Sequence, residues 1–195
     1  DLKEPVVVYY QELFTTDPDT FKNKTAESFS YDELEWLASR KVHSVLINNL
    51  EPNTKYVVKV KYDNQFYVDA IYKTLPSDPK VPVVMLTAGD SGYPHASHNL
   101  SKIAVGYKPD IIMIGGDVAY DNNIPACGYT WDFFLGMIEG ISNDVGYMIP
   151  LVLALGNHDA GLNELSETNI TLDSTAFFKY FPQQFKRDKN GSIVD

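Results

Sequence analysis

The sequence is poor in cysteine, in basic residues and in long apolar runs. Its 195 residues include one cysteine, Cys127, so no disulfide can close within the chain. Taken alone, that favours a reducing compartment. The apolar runs Val81–Leu86, Ile111–Ile114 and Met148–Leu155 fall short of the ~20 residues that cross a bilayer as a helix, so no membrane span is expected. No basic segment followed by an apolar one opens the chain, so a signal peptide is expected to have been removed or to lie outside these residues. Lys and Arg number 16 against 26 Asp and Glu, a formal net charge of −10. Such a surface disfavours nucleic acid as a partner. It does not exclude a small phosphate ester, because a bound cation inverts the local field.

Against the reducing reading stand four asparagine-linked glycosylation triplets, at Asn23, Asn99, Asn169 and Asn190. They lead us to expect a secreted or lumenal (lysosomal or vacuolar) glycoprotein. The lone Cys127 is then a residue whose partner lies elsewhere.

The pattern changes at Leu75-Pro-Ser-Asp-Pro-Lys-Val-Pro82, where three prolines fix φ and remove backbone donors, as in a stiff connection. Before it the chain reads as strands: Val6–Tyr10, Val42–Ile47, Tyr56–Tyr62 and the alternating Phe66, Val68, Ala70, Tyr72. After it the chain reads as α/β. Val83–Ala88, Ile111–Ile114 and Leu151–Leu155 are strand candidates, and His98–Gly106 is a helix candidate. Trp131, Phe134, Leu135, Ile138 and Ile141 recur at helical spacing. Strands alternating with helices imply a parallel sheet with right-handed crossovers.

All strands of a parallel sheet end on one edge, where open α/β sheets bind ligands. Each candidate strand is followed there by glycine and then polar donors: Gly89-Asp90, Gly116-Asp117 with Tyr120, and Gly156-Asn157-His158-Asp159. Oxygen donors gathered on one edge repel unless cations lie among them. The sequences Gly89-Asp-Ser-Gly92, Gly116-Asp-Val-Ala-Tyr120 and Gly156-Asn-His-Asp159, in that order, resemble the first three motifs of the purple acid phosphatases, a branch of the calcineurin-like metallophosphoesterases. Most metallophosphoesterases have histidine two residues after the first aspartate. Here that place is Gly92, and Tyr120 looks like the compensating donor. Leu50-Glu-Pro-Asn-Thr-Lys-Tyr56 likewise resembles the tyrosine corner of fibronectin type III domains.

The resemblance implies a two-domain α+β chain. Residues 1–76 would form a fibronectin III-like β-sandwich lacking its first strands, 77–82 a Pro-rich linker, and 83–195 the first half of a metallophosphoesterase domain. It implies hydrolysis of phosphate monoesters at a binuclear centre, a metal-bound hydroxide attacking phosphorus in line. Fe(III) would be held by Asp90 and Tyr120, and a second divalent metal (Zn, Mn or Fe) by Asn157, with Asp117 bridging. His158 would serve as general acid towards the leaving group. His95 and His98 are candidates for the phosphate pocket, Asp159 for orienting its neighbours, and His43 for a structural place in the sandwich. A small phosphate ester is the expected substrate, and a homodimer is left open.

The family's remaining ligands, in V-x-x-H and G-H-x-H, are absent from this sequence. The chain therefore reads as a fragment lacking both ends, inactive in isolation. Two other readings stand beside this one: a non-catalytic secreted glycoprotein on a phosphatase scaffold, and a GDSL-type esterase with Ser91 as nucleophile.

Overall fold

A computed structural model describes residues 5–15, 17, 20–30, 41–92, 94–124, 127–162 and 176–181. Asn169 and Asn190 lie outside the described residues.

The N-terminal part forms two antiparallel sheets. In the larger, strands run in the order β2 (Lys22–Thr25), β1 (Val7–Glu12), β5 (Lys55–Tyr62), β6 (Gln65–Lys73). The smaller pairs β3 (Glu27–Ser30) with β4 (Lys41–Ser44). β1 alternates buried Val8 and Tyr10 with half-buried Val7 and Tyr9, the period-two signature of a sheet with one face covered. β5 and β6 are joined by Asp63-Asn64, both at positive φ (49° and 60°), the hairpin geometry that matches strand twist. Tyr56 is buried, and its hydroxyl accepts the Glu51 N–H at 2.8 Å, satisfying a corner that has no ladder bond of its own. Strands β2 and β3 were not anticipated; Lys-Asn-Lys-Thr and Glu-Ser-Phe-Ser are too polar to carry a strand pattern.

The C-terminal part is a three-stranded parallel sheet, β7 (Met85–Ala88), β8 (Ile111–Ile114) and β9 (Leu151–Leu153), in that spatial order. Helix α1 (Pro94–Val105) links β7 to β8, and α2 (Tyr129–Val145) links β8 to β9. A short α3 (Ala176–Tyr180) completes the core. α1 begins four residues before the sequence suggested, because Pro94 suits the first helical position, where no N–H is needed. Trp131, Phe134, Ile138 and Ile141 face inward from α2 onto Ile112 and Ile114 of β8 and onto Phe177 of α3. This core buries β8 on the central position of the sheet and fixes the loops that follow each strand. The arrangement of this part is α/β, with a helix between successive parallel strands.

The two parts touch where β6 meets the segment after α2. Met148 N–H donates to the Ile71 carbonyl, and Tyr72 and Met148 form a parallel bridge. Lys73 reaches Asp110 at 2.6 Å.

Candidate metal centre

Ala88, Ile114 and Leu153 stand side by side at the C-terminal edge of the parallel sheet. The loops that leave them are tied together by their backbones: Asp90 N–H donates to Gly116 O at 3.3 Å, and Ser91 N–H to Asp117 O at 3.0 Å. Three candidate ligands, Asp90, Asp117 and Tyr120, have positive φ (53°, 53° and 58°). For a tyrosine this is an uncommon conformation, and strain of this kind persists only where the surroundings enforce it.

Two glycines are required by close approach. A Cβ on Gly156 would collide with the backbone N and carboxylate of Asp117, so only glycine lets the β8 and β9 loops meet. A Cβ on Gly92 would collide with the Tyr120 ring. The missing side chain at 92 and the tyrosine at 120 therefore have one steric cause: the ring occupies the space that a side chain at 92 would take.

Side-chain geometry unites Asp90, Asp117, Tyr120 and His158. Tyr120 donates its hydroxyl proton to Asp90 Oδ1 at 2.7 Å. His158 N–H donates to Asp117 Oδ1 at 3.0 Å, and its ring stacks on Tyr120 with centroids 4.2 Å apart. Asn157 is exposed between Gly156 and His158 in the same loop. The hydrogen bond to Asp90, then burial and the charges of Asp117 and Asp90, push the Tyr120 phenol well above its ordinary value. These donors, hard anionic oxygens, fit a hard, highly charged cation. Among the described residues no three His, Cys, Asp or Glu side chains converge as a metal-binding group. The loops bring together one phenol and two carboxylates, those of Tyr120, Asp90 and Asp117, and Asn157 lies exposed in the loop that carries His158.

Three residues around this cluster matter more than the sequence alone suggested. Asp159, fully buried, accepts N–H bonds from Val118, Ala119 and Gly156 at 2.9–3.1 Å, so one carboxylate clamps the loops that carry Asp117, Tyr120 and His158. Asn122 donates from its amide nitrogen to Tyr120 O at 3.1 Å, which turns its oxygen to His158 Nδ1 at 2.7 Å. That oxygen can only accept, so Nδ1 of His158 is the donor in this contact. Asp121 accepts the Trp131 indole N–H at 3.0 Å, and burial, outweighing that bond, raises its carboxyl to about 6. Asn122 and Asp121 follow Tyr120 directly, but nothing in their spacing signals these partners.

The remaining candidates sit elsewhere. His95 and His98 lie exposed in the first turns of α1, and His98 lines a groove between α1 and α2 with Lys102, Asp132 and Asp144. His43 on β4 bonds Ser28 at 2.9 Å. Ser91 Oγ donates to Val118 O at 2.7 Å, so its proton is committed to a carbonyl and not to a base that could activate it. Asn23 is exposed on β2 and Asn99 on α1.

Residues 43–194 match the calcineurin-like phosphoesterase family. The match begins within β4, ahead of the Pro-rich segment. Two curated relatives come from Arabidopsis thaliana: purple acid phosphatase 21, 30% identical over 145 residues, and purple acid phosphatase 15, 23% identical over 181 residues. The alignments take in 73% and 80% of this chain but 30% and 33% of those proteins, so the chain spans about a third of their length. The solved structure titled "Structure of PhoD" superposes with a TM-score of 0.56 at 17% identity, over 97% of this chain and 41% of that one. No helix among the described residues is long and apolar enough to cross a membrane.

Proposed function

The chain belongs to the calcineurin-like phosphoesterase family, and on that footing we propose that it is the tyrosine-bearing part of a phosphomonoesterase of the purple acid phosphatase type. One observation carries the reading: the Tyr120 hydroxyl rests on the Asp90 carboxylate and its ring fills the place of the side chain absent at Gly92. Asp90 and Tyr120 would hold Fe(III), Asn157 would offer its amide oxygen to a second, divalent metal (Zn, Mn or Fe), and Asp117 would be the carboxylate shared between them. A bound metal pair supplies an activated nucleophile and neutralises charge on the phosphoryl oxygens. The protein's own side chains do the rest. His158, held flat against Tyr120 and fixed through Nδ1 by Asn122, presents Nε2 and gives a proton to the departing oxygen. Asp159 keeps the two loops in register while this happens.

The same reading assigns residues 1–76 to a fibronectin III-like sandwich, supported by the buried Tyr56 and its bond to Glu51, 77–82 to the linker and 83–195 to the first half of the catalytic domain. It also makes the protein a secreted or lumenal glycoprotein acting on small phosphate esters.

Leaving-group dependence tests the role of His158. In the intact, metal-loaded protein, His158→Ala lowers kcat for alkyl phosphates about 10²–10⁴-fold, the usual worth of a positioned acid. For p-nitrophenyl phosphate, whose leaving group needs no proton, the loss is much smaller. Equal losses for both substrates would remove His158 from the acid role.

A further inference from the structure

Asn23 lies on the solvent face of the larger sheet. It pairs directly with Tyr9 of β1, and directly opposed residues share a face. Tyr9 in turn pairs with Lys59 of β5. The Lys59 ammonium stands over two rings on this face, Phe21 at 5.6 Å and Phe66 at 5.9 Å, and Phe66 meets Tyr9 edge-on at 5.6 Å. Phe21, Tyr9 and Phe66 thus form an aromatic strip beside Asn23, with Phe66 56% exposed. Thr25, two residues on, returns to the same face and completes the acceptor triplet. The side chain between them, Lys24, is drawn away to Leu46 O and Asn48 Oδ1. An acceptor asparagine two residues after a phenylalanine and opposite a tyrosine places whatever it carries over those rings.

We propose that Asn23 carries an N-linked glycan whose first N-acetylglucosamine packs its C–H face on Phe21 and Tyr9, covering the strip. The reaction joins the Asn23 amide nitrogen, with loss of one proton, to the anomeric carbon of a lipid diphosphate-linked oligosaccharide, whose bond to the diphosphate breaks. Aromatic surface gains from an apolar cover, and the sugar's hydroxyls stay outward in water. The proposal rests on the secretory part of the reading above and not on its phosphatase chemistry.

The test sends the full chain through a eukaryotic secretory pathway and maps Asn23 by glycopeptide mass spectrometry. Melting is then compared between the protein trimmed to one sugar and Thr25→Ala, which removes the acceptor, each with and without Phe21→Leu. The single sugar is expected to raise Tm by about 2–4 °C beside Phe21 and by less than half as much beside the leucine. An unmodified Asn23 in the secreted protein, or a gain indifferent to Phe21→Leu, would overturn the proposal. If the Phe21→Leu protein is not secreted, the trimmed native protein gives the answer. Upfield ring-current shifts of the sugar protons support the contact, and unshifted protons refute it. None of these three readouts uses phosphatase activity, so failure here leaves the catalytic reading standing.

Discussion

Gly92 and Tyr120 show how one residue's chemistry fixes another's identity. Any Cβ at 92 collides with the phenol ring that rests on Asp90. Gly92→Ala is therefore expected to cost about 1–3 kcal/mol, the usual penalty of overpacking. The same substitution in a Tyr120→Ala background should cost less, with a coupling of about 0.5–3 kcal/mol in a double-mutant cycle read by urea unfolding. Additive costs would mean that the ring is not what excludes a side chain at 92. At this scale the sequence disclosed donor types and their order, because glycine followed by aspartate or asparagine after an apolar run is a local signal. It did not disclose that Asn122 accepts from His158 Nδ1 or that Asp159 clamps two loops. Those bonds join residues 36 and 41 positions apart and depend on the sheet being folded.

Among the elements, β8 was legible to the residue: Ile111–Ile114 is an apolar run at the centre of the sheet, with Ile112 and Ile114 in the core and Ile111 and Met113 half-buried on the other face. The buried stripe of α2 was legible for the same reason, since its periodicity records the core it faces. Edge strands were harder. β9 stops at Leu153 although the apolar run continues to Leu155, and β2 leaves almost no trace because its residues mostly face water. Helix α2 ends at Gly146, whose φ of 87° lets its N–H return to Ser142 O at 2.9 Å. Gly146→Ala forces a side chain into that left-handed conformation and should lower stability by about 1 kcal/mol. Gly140→Ala, in mid-helix with open space around its Cβ, should leave stability unchanged or raise it. Equal effects of the two substitutions in thermal melts would argue against this account of the helix end.

At the scale of the whole molecule, the β-rich part and the α/β part are held by a small set of contacts that no local pattern announces. Lys73 meets Asp110 at 2.6 Å with both side chains largely buried, Asp110 also accepts the Val84 N–H at 3.0 Å, and Lys73 lies over the Tyr147 ring at 5.6 Å. Burial alone would raise the Asp110 carboxyl, but the Lys73 hydrogen bond, the Val84 N–H and the Lys73 charge outweigh it and hold it below its ordinary value of 3.8. The stabilisation is therefore complete above that value and is lost as pH falls through the depressed folded value. Asp110→Asn should cost about 1–3 kcal/mol at neutral pH, and its melting curve should converge on the native one in strong acid. A constant gap down to the lowest pH would show that Asp110 does not stabilise through its charge. These contacts hold the β-rich part against the fold that gathers Asp90, Asp117, Tyr120 and His158 at one sheet edge, where we propose that a metal ion is held. The most direct measurement is the visible absorption spectrum of the iron-loaded intact protein, native and Tyr120→Phe, with folding checked by circular dichroism. A phenolate-to-iron charge-transfer band present in the native protein and absent from the folded variant is the expected result. A band that survives the substitution would contradict it.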